Sequence, residues 1–452
     1  MQFKQYPSYK NSGVEWLGEV PEHWTVLKNR HIFNFSKGLS ITKENLQESG
    51  IPCVSYGEVH SKFGFEFNPE INDLKFVSEE YLKTSKNCLL NSGDFIFADT
   101  SEDFEGSGNF SYLNSKSQVF AGYHTVIARL KFSHNPRFFA YVFDSNAHRK
   151  QIQTQVKGIK VFSITQGILK DIYSWLPPID EQQKIVLFLD TETARIDNLI
   201  SKQEKLIELL EEQRKSIISH AVTKGLNPDA PMKDSGVEWL GDVPEHWMTP
   251  SSKHLLEIPI TDGPHETPNF VDDGVPFISA EAISKGKIDF DKKRGYITPE
   301  LNAIYSKKYS PKIEDIYMVK SGATTGKVAM VETTEEFNIW SPLAVFRCNK
   351  NKVLPKFLLA VFNSSHFYDA LVLNWSYGTQ QNIGMGVLSN IEIPCPPLKE
   401  QAEIIQHLDA QNTKFDKLIS TQSQLIEKLK EYRSSIISHA VTGKIDVREF
   451  GA

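Results

Sequence analysis

The chain has 452 residues, of which 40% are hydrophobic and 23% are charged, and its formal net charge is −6. This length exceeds one ordinary hydrophobic core, so we expect two folded domains with connecting elements. The four cysteines lie far apart without a CxxC pair, which argues against a disulfide framework or a zinc site and favours a reducing compartment. No apolar run approaches the roughly 18 residues that span a membrane, and we expect a cytoplasmic protein.

A short motif opens each half of the chain. Residues 12–24 read SGVEWLGEVPEHW and residues 235–247 read SGVEWLGDVPEHW, an offset of 223. The motif suits either a turn anchored on the domain or a contact with a partner. We favour the first interpretation, because its apolar residues could all pack on one surface. In the first copy these residues are Trp16, Leu17, Val20 and Trp24.

A variable region follows each motif, at about residues 25–176 and 248–395. Both regions contain short β-branched and aromatic runs separated by Gly, Asn and Pro turns, which predict strands. Each then shows helical spacing, at residues 136–153 and 354–372. The two regions do not resemble each other closely. Each is therefore predicted to be a small α+β domain with its own surface on a shared frame.

A long helical repeat closes each half. Residues 177–224 and 396–443 align without a gap at an offset of 219, with 26 identities in 48 positions, so the unit is duplicated. Each copy resembles a short helix that runs into a long one, the long helices covering about 190–220 and 409–439. At 1.5 Å per residue each long helix would measure roughly 45 Å.

Apolar residues follow a heptad pattern along both long helices. The pattern predicts that the two helices pack against each other as a coiled coil. Together with the duplicated opening motif and the unlike variable regions, it favours an antiparallel pair within one chain. The predicted seam is Ile196, Leu199, Gln203, Leu206, Leu210 and Ile217 in the first copy, and Phe415, Leu418, Gln422, Leu425, Leu429 and Ile436 in the second. The two glutamines would either select the register or simply be solvated edges.

The motifs of several enzyme classes are absent from the sequence. Residues 322–328 read GATTGKV, one residue short of a phosphate-binding P-loop and without its hydroxyl. The Pro pairs of residues 177–178 and 396–397 lack the Asn or Asp and the aromatic residue of an amino-methyltransferase motif. Lone histidines such as His124 and His265 have no paired acid or cysteine at motif spacing, and we interpret them as hydrogen-bonded or surface residues.

Basic residues cluster in both variable regions despite the acidic total. Residues 129–160 carry a local net charge of +6, and residues 281–327 carry +4. Lysine and arginine contact DNA phosphates, while amide and hydroxyl side chains read base edges. The candidates in the first half are Lys37, Lys43, Ser55, Tyr56, Lys62, Arg137, Arg149, Lys150, Lys157 and Lys160. Those in the second half are Lys285, Lys287, Lys292, Lys293, Arg294, Lys307, Lys308, Lys320, Lys327, Thr379, Gln380, Gln381 and Asn382.

The layout resembles the specificity subunits of type I restriction-modification systems. The resemblance rests on GVEWLGEVPEHW, on PPIDEQQKI and PPLKEQAEI at the helix starts, on the ISHAVT ends, and on TDGPHETP, VPFISAEAI and VKSGATTGKVAMV in the second half. It covers nearly the whole chain and is loosest in the first variable region. It implies an α+β fold in which two pseudo-two-fold-related target recognition domains are joined by two long antiparallel helices.

The resemblance also implies domain boundaries and partners. Residues 1–176 and 226–395 would be recognition domains, and residues 177–225 and 396–452 helical spacers. Each domain would read one half of a bipartite, asymmetric site in double-stranded DNA. The helices would dock two methyltransferase subunits, and two restriction or translocase subunits where the system has a nuclease. Candidate docking residues are Gln182, His220, Gln401 and His439; both histidines also suit the last turn of a helix, where a cation is favoured.

No catalytic residue, cofactor or metal is expected in this chain. The resemblance places S-adenosylmethionine in the methyltransferase subunit, and ATP with magnesium in the restriction subunit. Two other classes remain open. A methyltransferase in its own right would bind S-adenosylmethionine and methylate DNA alone. A free-standing DNA-binding or scaffold protein would form no stable complex with a methyltransferase subunit.

Overall fold

The structure is a computed structural model that describes residues 3–158, 160–284, 286–374, 376–377 and 381–451. Its contacts divide the chain into two compact units: the first unit comprises Met1–Lys202 and Gln424–Ala452, and the second unit comprises Gln203–Ser423. The boundaries of the units cut both long helices instead of separating them from the variable regions. Each unit therefore combines one variable region with part of each long helix.

Both helical repeats form single continuous helices. They are Ile179–Lys224, with 46 residues, and Leu398–Val441, with 44 residues. The expected break between a short and a long helix is therefore wrong. Neither copy contains Gly or Pro inside the helix, and threonine hydroxyls in the expected break donate back to carbonyls one turn earlier, Thr191 to Leu187 and Thr193 to Leu189, both at 2.7 Å.

The two helices run antiparallel within each unit, as predicted. In the first unit, Arg433 Nε donates to Asp197 Oδ1 at 2.8 Å. In the second unit, Arg214 makes the corresponding ion pair with Asp416. Both pairs join the same two positions of the repeat, the acid from one copy and the arginine from the other. This exchange of partners is what an antiparallel pair of duplicated helices requires.

The predicted seam describes only part of the buried stripe. Ile196, Phe415 and Ile436 are buried, whereas the remaining seam residues are half-buried or exposed. Half-buried are Leu199, Gln203, Leu210, Ile217, Gln422 and Leu429; the exposed residues are Leu206, Leu418 and Leu425, at 38, 37 and 39%. Ile426, next to Leu425, is only 6% exposed. A straight helix drifts about 20° per heptad from a strict seven-residue stripe, so adjacent positions replace the predicted ones.

The repeated motif SGVEWLG-VPEHW forms a hairpin at the start of each unit. The paired strands are Tyr9–Asn11 with Glu19–Pro21, and Met232–Asp234 with Asp242–Pro244. Leu17, Val20 and Trp24 are buried, as expected, but Trp16 remains 41% exposed, with the Lys150 ammonium 5.9 Å from its ring.

A glutamate in the first turn of each long helix holds this motif. Trp24 Nε1 donates to Glu181 Oε1 at 2.9 Å, and His23 Nε2 lies 2.8 Å from Glu181 Oε2. In the second unit the same contacts reach Glu400, at 3.1 Å from Trp247 Nε1 and 2.7 Å from His246 Nε2. The motif is therefore a structural anchor for the start of each long helix.

Each long helix ends at a glycine that packs on the same motif. Gly225 and Gly443 have φ of +76° and +72°, a conformation that favours glycine. A Cβ atom on Gly225 would come within 3.3 Å of the Trp247 ring, and one on Gly443 within 3.2 Å of the Trp24 ring. In each unit, the start of one long helix and the end of the other therefore meet at one tryptophan.

The residues after the second long helix close the first unit. Phe188 contacts Phe3 and Phe450, with ring centroids 5.6 and 5.0 Å away. Lys4 and Asp446 form an isolated β-bridge. In the second unit the chain continues directly from helix to hairpin, whereas in the first unit the segments of Lys4 and Asp446 come together from distant parts of the chain.

The variable region of the first unit contains two main sheets. The first has the order Phe33–Lys37, Thr125–Leu130, Phe95–Ala98, Phe110–Leu113, Glu66–Phe67, and the second Lys75–Val77, Ile51–Val54, Val119–Ala121, Leu89–Leu90. Two strand pairs, Thr100–Ser101 with Phe162–Ser163 and Thr25–Lys28 with Tyr173–Leu176, complete the β structure. The helices are Asn29–Ile32, Tyr81–Thr84, Pro136–Asp144, Asn146–Gln153 and Gln166–Asp171, with a π-helix at Glu58–Lys62 and 3₁₀ turns at Lys43–Asn45 and Lys86–Cys88.

The second unit repeats this plan with fewer strands among the described residues. Its sheets have the orders Thr261–Asp262, Leu343–Phe346, Ile316–Val319, Val328–Met330 and Gly295–Ile297, Val275–Ile278, Asn338–Ile339. The strand pairs are Ile283–Ser284 with Lys287–Ile288 and Ser376–Tyr377 with Gln381–Asn382. The helices are Pro299–Tyr305, Pro355–Phe362, Ser365–Leu373 and Met385–Asn390, with 3₁₀ turns at Ser252–His254, Ala280–Ala282 and Phe290–Lys292. The predicted α+β class is confirmed.

In each unit a helix of the variable region shares a buried core with the long helices. Phe139 from the variable region, Ile185 from the first long helix and Ile436 from the second share one buried cluster in the first unit. In the second unit Phe357 and Ile404 are buried in a corresponding cluster. Each variable region therefore folds onto the repeat, which fixes the orientation of its sheet within the unit.

We predict that Glu181→Gln lowers the free energy of unfolding by about 2 kcal/mol, because a neutral amide replaces the acceptor of three charge-assisted hydrogen bonds. Glu181 is 3% exposed and also accepts from the Tyr6 hydroxyl. Urea denaturation followed by tryptophan fluorescence measures the change. The control is Asp180→Asn, at the exposed preceding position; equal midpoints for the two variants would contradict the anchoring role.

We predict that His148 makes the first unit less stable in acid. Its imidazole is fully buried, and burial, with a smaller effect of the Arg149 charge, lowers its pKa to about 3. In the unfolded chain the pKa is about 6.5. Between these pH values only the unfolded chain takes up the proton, so this contribution to stability is present above about pH 6.5 and falls by up to about 1.4 kcal/mol per pH unit as the pH decreases. Unfolding of His148→Gln should depend less on pH than that of the parent chain between pH 6.5 and 5; parallel pH profiles would refute the assignment.

Candidate nucleic-acid interface

Several loops of the first unit meet at one end of its main sheet. In the first unit, Lys37 ends its strand, Asp99 follows Phe95–Ala98, and His124 precedes Thr125–Leu130. These strands are neighbours, and Val126 lies opposite both Lys37 and Phe97. Lys37, Asp99 and His124 are therefore brought to the same end of the sheet.

His124 adopts a strained backbone conformation at this end. Its φ is +54°, a region that non-glycine residues rarely adopt and that is frequent at functional sites. Its Nδ1 lies 3.2 Å from Asp99 Oδ1, and its ring meets Tyr56 edge-on at a centroid distance of 5.8 Å. Spacing of residues in the sequence did not reveal the Asp99–His124 pair, because the partners are 25 positions apart.

Of the neighbouring candidates Ser55 and Tyr56, which were predicted to contact DNA, only Tyr56 is partly accessible. Ser55 is 1% exposed, and its backbone N–H donates to Glu58 Oε2 at 3.0 Å. A buried hydroxyl cannot reach a base edge, so the role predicted for Ser55 is wrong. Tyr56 is half-buried and packs against Tyr123 and His124.

Residues 99–109 connect two strands at this end of the sheet and are acidic. Glu102, Asp103 and Glu105 are exposed, and Phe104 between them is 46% exposed and contacts Phe162 at 5.7 Å between ring centroids. The corresponding connection in the second unit, residues 320–327, contains two lysines and no acid. The two units thus present opposite charge in this loop.

Most of the predicted basic contacts in the first unit are exposed. They are Lys37, Lys43, Lys62, Lys150, Lys157 and Lys160. Lys62 Nζ donates to the carbonyl of Asp73 at 2.7 Å, which fixes its side chain beside the π-helix. All six remain candidates for phosphate contacts.

Two arginines of the same prediction are structural instead. Arg137 Nε donates to Asp190 at 2.7 and 2.9 Å, and its Nη1 donates to Glu66. The Arg149 guanidinium donates to Asn109 Oδ1 at 2.9 Å and lies 3.6 Å from Asp144. Arg137, held by two carboxylates, joins the edge strand to the long helix, so a DNA role for it is not supported.

The predicted contacts in the second unit differ in availability. Exposed are Lys287, Lys292, Arg294, Lys307, Lys308, Lys327 and Asn382, whereas Lys293 is half-buried. Lys287, Lys292 and Arg294 lie near Glu332, Asp289 and Glu281 at 3.7, 2.9 and 3.2 Å, and Lys293 lies 4.9 Å from the Tyr296 ring. Lys285, Thr379 and Gln380 lie outside the described residues, and Gln381 is described only as part of the strand Gln381–Asn382.

A buried carboxylate lies beside two lysines and a histidine at the end of the second unit's main sheet. Asp262 Oδ1 accepts from Lys308 Nζ at 2.7 Å, and its Oδ2 lies 3.0 Å from His265 Nε2 and 3.4 Å from Lys320 Nζ. His265 was predicted to be a hydrogen-bonded or surface residue, and it is exposed beside Asp262, which was not among the candidate residues. Lys308 and Lys320 lie 46 and 58 positions from Asp262 in the sequence, so these contacts form only in the folded chain.

The predicted docking residues separate into two groups. Gln182 and Gln401 are fully buried, so a docking role is wrong for both. Gln182 accepts from the Asn135 N–H at 3.0 Å, and Gln401 from the Leu354 N–H at 2.8 Å. Each glutamine thereby links the long helix to the residue that precedes a helix of the variable region, Pro136–Asp144 or Pro355–Phe362.

The two predicted docking histidines are exposed near the ends of the long helices. Partial burial, with the nearby Lys444 charge, lowers the pKa of His439. His220 borders two grooves of the second unit, with volumes of about 390 and 440 Å³. The larger groove is also lined by Ile217, Leu226 and His407.

The described part of the chain contains neither a cluster of three or more His, Cys, Asp and Glu arranged for a metal ion nor a helix long and apolar enough to cross a membrane. Burial raises the pKa of the four scattered cysteine thiols, to about 12 for Cys53 and Cys348. Raised values keep these thiols protonated and disfavour a nucleophilic role.

Comparison with known families matches both halves of the chain. The model for the type I restriction modification DNA specificity domain matches residues 21–209 and 244–431. These ranges cover well over half of the chain, which therefore belongs to this family. Each match begins in a repeated motif and extends into a long helix.

Relatives and solved structures resemble the chain over most of its length. The type I restriction enzyme MjaVIII specificity subunit of Methanocaldococcus jannaschii is 24% identical over 99% of this chain and 98% of its own. The EcoKI specificity subunit of Escherichia coli K12 is 21% identical over 95% and 90%. A chain from a study of complex assembly and conformational transition of the type I R-M system gives a TM-score of 0.66 at 17% identity, covering 93% of this chain and 98% of its own. The HsdS subunit from Thermoanaerobacter tengcongensis gives 0.50 at 16% identity, over 94% and 98%.

We predict that Arg137→Ala destabilises the first unit by about 2 kcal/mol, because two carboxylates lose their partner. It should leave the salt dependence of DNA binding unchanged, since the two acids already neutralise this arginine. Lys43→Ala is the matched control, because Lys43 is exposed and its loss should leave the melting temperature unchanged. The assignment fails if Arg137→Ala melts like the parent chain and weakens the salt dependence.

Proposed function

We propose that this chain is the DNA-binding specificity subunit of a type I restriction-modification complex, and that each unit reads one half of a bipartite, asymmetric DNA site. The observation that carries the proposal is a duplicated frame with unlike ends. Asp94 pairs with Arg129 at 2.6 Å in the first unit, and Asp315 with Arg347 at 2.7 Å at the corresponding place in the second. The loops at the other end of the same strands differ in sequence and charge.

A shared frame that carries different loops suits recognition of two different half-sites. Phosphate contacts position a domain, whereas contacts to base edges carry sequence information. A shared frame would place both domains on DNA in the same way, and the differing loops would select different bases. The family match in both halves and the specificity subunits among the relatives support this reading.

The chain would supply recognition to catalytic partners. Two methyltransferase subunits would bind S-adenosylmethionine and methylate adenine, and two ATP- and magnesium-dependent restriction subunits would add cleavage where present. The exposed faces of the long helices, including His220 and His439, are the proposed docking surface. Gln182 and Gln401 no longer belong to it, because both side chains are buried.

The proposal predicts methylation of one bipartite site when the chain is co-expressed with its methyltransferase subunit. Mapping of methylated adenines across the genome reads both half-sites at once. Substituting Asp99 and His124 by alanine should relax one half-site and leave the other unchanged. Glu79→Gln, an exposed substitution beyond the strand Lys75–Val77, should leave both half-sites unchanged.

Two outcomes would replace the proposal with another function. Methylation of DNA by the purified chain alone would make it an enzyme in its own right. Failure to form a stable complex with any methyltransferase subunit encoded beside it would favour a free-standing DNA-binding or scaffold protein.

A further inference from the structure

The Asp262 cluster contains more positive charge than its buried carboxylate needs. The Asp262 side chain is 2% exposed, and Lys320 beside it is 12% exposed. Lys308 and His265 are instead 53% and 72% exposed. One lysine already balances one carboxylate, so the second lysine leaves a net charge of +1 before any charge on His265. The surplus charge lies on the exposed side of the cluster.

Comparison of the two frames shows that these charges are not a shared feature of the fold. Asp262 lies opposite Ala344, which lies opposite Met318, just as Lys37 lies opposite Val126, which lies opposite Phe97. Asp262 therefore corresponds to Lys37. The residue that follows the central strand is Lys320 in the second unit and Asp99 in the first, so the acid and the base have exchanged places.

The opposite end of the same strands behaves differently. There the buried Asp–Arg pair keeps its residue types and its polarity in both units. A pair that the frame needs is retained, because an unpaired buried charge is strongly destabilising. Charges that reverse between two copies of one frame serve something outside the frame, and the exposed cations of the second unit are suited to an anionic ligand.

The loop that carries His265 is held in position before any ligand arrives. Tyr305 donates its hydroxyl to Glu266 Oε1, and Trp340 Nε1 donates to the Glu266 carbonyl, both at 3.2 Å. A Cβ atom on Gly263 would lie 2.7 Å from the backbone of Trp340, so only glycine allows this close approach. A preformed arrangement loses less entropy on binding.

We propose that Lys308 and His265, oriented by Asp262 and backed by Lys320, grip one backbone phosphate of double-stranded DNA in the second recognition domain. This inference rests on the proposed function and names the role of one part of that surface. Lysine ammonium groups are compact point charges that suit phosphate oxygens, and most protein–DNA hydrogen bonds go to the backbone. Asp262 is a positioning residue. Burial alone would raise its pKa, but the Lys308 hydrogen bond and the neighbouring charges hold the pKa below its usual value.

The test uses the full chain assembled with its methyltransferase subunits and a duplex of random sequence, titrated at several salt concentrations. Lys308→Ala should weaken binding several-fold and reduce the slope of log affinity against log salt by about 1. Lys312→Ala is the control, because Lys312 is exposed beside Asp315, at the opposite end of the same strands, and is not a candidate DNA contact. Lys308→Arg should restore the slope. Equal slopes for Lys308→Ala and Lys312→Ala would overturn the phosphate contact.

The Asp262→Asn substitution tests whether Asp262 orients the neighbouring basic side chains or only changes the net charge of the cluster. Removing a negative charge should strengthen DNA binding if only net charge matters. If Asp262 orients the cations, the substitution should weaken binding and leave the melting temperature of the complex close to that of the parent. Tighter binding would overturn the positioning role, and a variant that fails to fold leaves the decision to Lys308→Ala.

Mapped methylation in cells distinguishes this inference from the proposed function. In one outcome the parent complex methylates a bipartite site, and Lys308→Ala changes the sequence of one half-site without changing the salt slope. Lys308 would then be a base-reading residue, and the phosphate assignment would be overturned. A parent complex that neither binds duplex DNA nor methylates it would instead refute the proposed function.

Discussion

The organisation of each unit depends on a glutamate–glutamine pair in the first turn of a long helix. Glu181 and Glu400 accept hydrogen bonds from the tryptophan of the repeated motif, and Gln182 and Gln401 bind the backbone that leads into the next helix of the variable region. One helical turn thereby joins segments that are far apart in the chain. An acid at this position is also favoured by the free N–H groups and the dipole of the helix start. The pair is the same in both repeats because its side chains accept hydrogen bonds from the same packed segments in each unit.

This anchor explains why the two variable regions can differ while their frames agree. The anchor and the buried Asp–Arg pair fix the sheet against the helices, and neither uses the loops at the far end of the strands. A substitution of an exposed side chain in these loops therefore leaves the anchor and the Asp–Arg pair intact. Sequence change is tolerated where side chains face solvent and is restricted where they satisfy buried groups.

Much of the fold could be predicted from the sequence, because duplication and apolar periodicity are local signals. The strands Phe95–Ala98 and Ile316–Val319 lie inside the apolar runs of residues 93–100 and 315–322, which predict strands. The predicted helices of both variable regions exist, but each is interrupted at a serine, Ser145 or Ser364, that precedes a second helix. The fate of individual polar residues was not predictable in this way. Arg137 has its partner Asp190 in an element 53 positions away, so its burial depends on tertiary contacts. The number of basic residues in a segment therefore does not predict which of their side chains form structural ion pairs.

The acidic total of the chain need not oppose binding to DNA. The loop of residues 99–109 carries four acids and no base, yet carboxylates at a groove edge can accept hydrogen bonds from cytosine amino groups. In that case the first unit would depend on Lys37, Lys43 and other exposed lysines for phosphate contacts, while its loop reads bases. The second unit carries lysines in the equivalent loop and would use them nearer the backbone. Equivalent loops of the two units would thus serve different purposes, one reading bases and the other contacting phosphates. The net charge of the whole chain is for this reason a poor guide to the ligand of a duplicated protein.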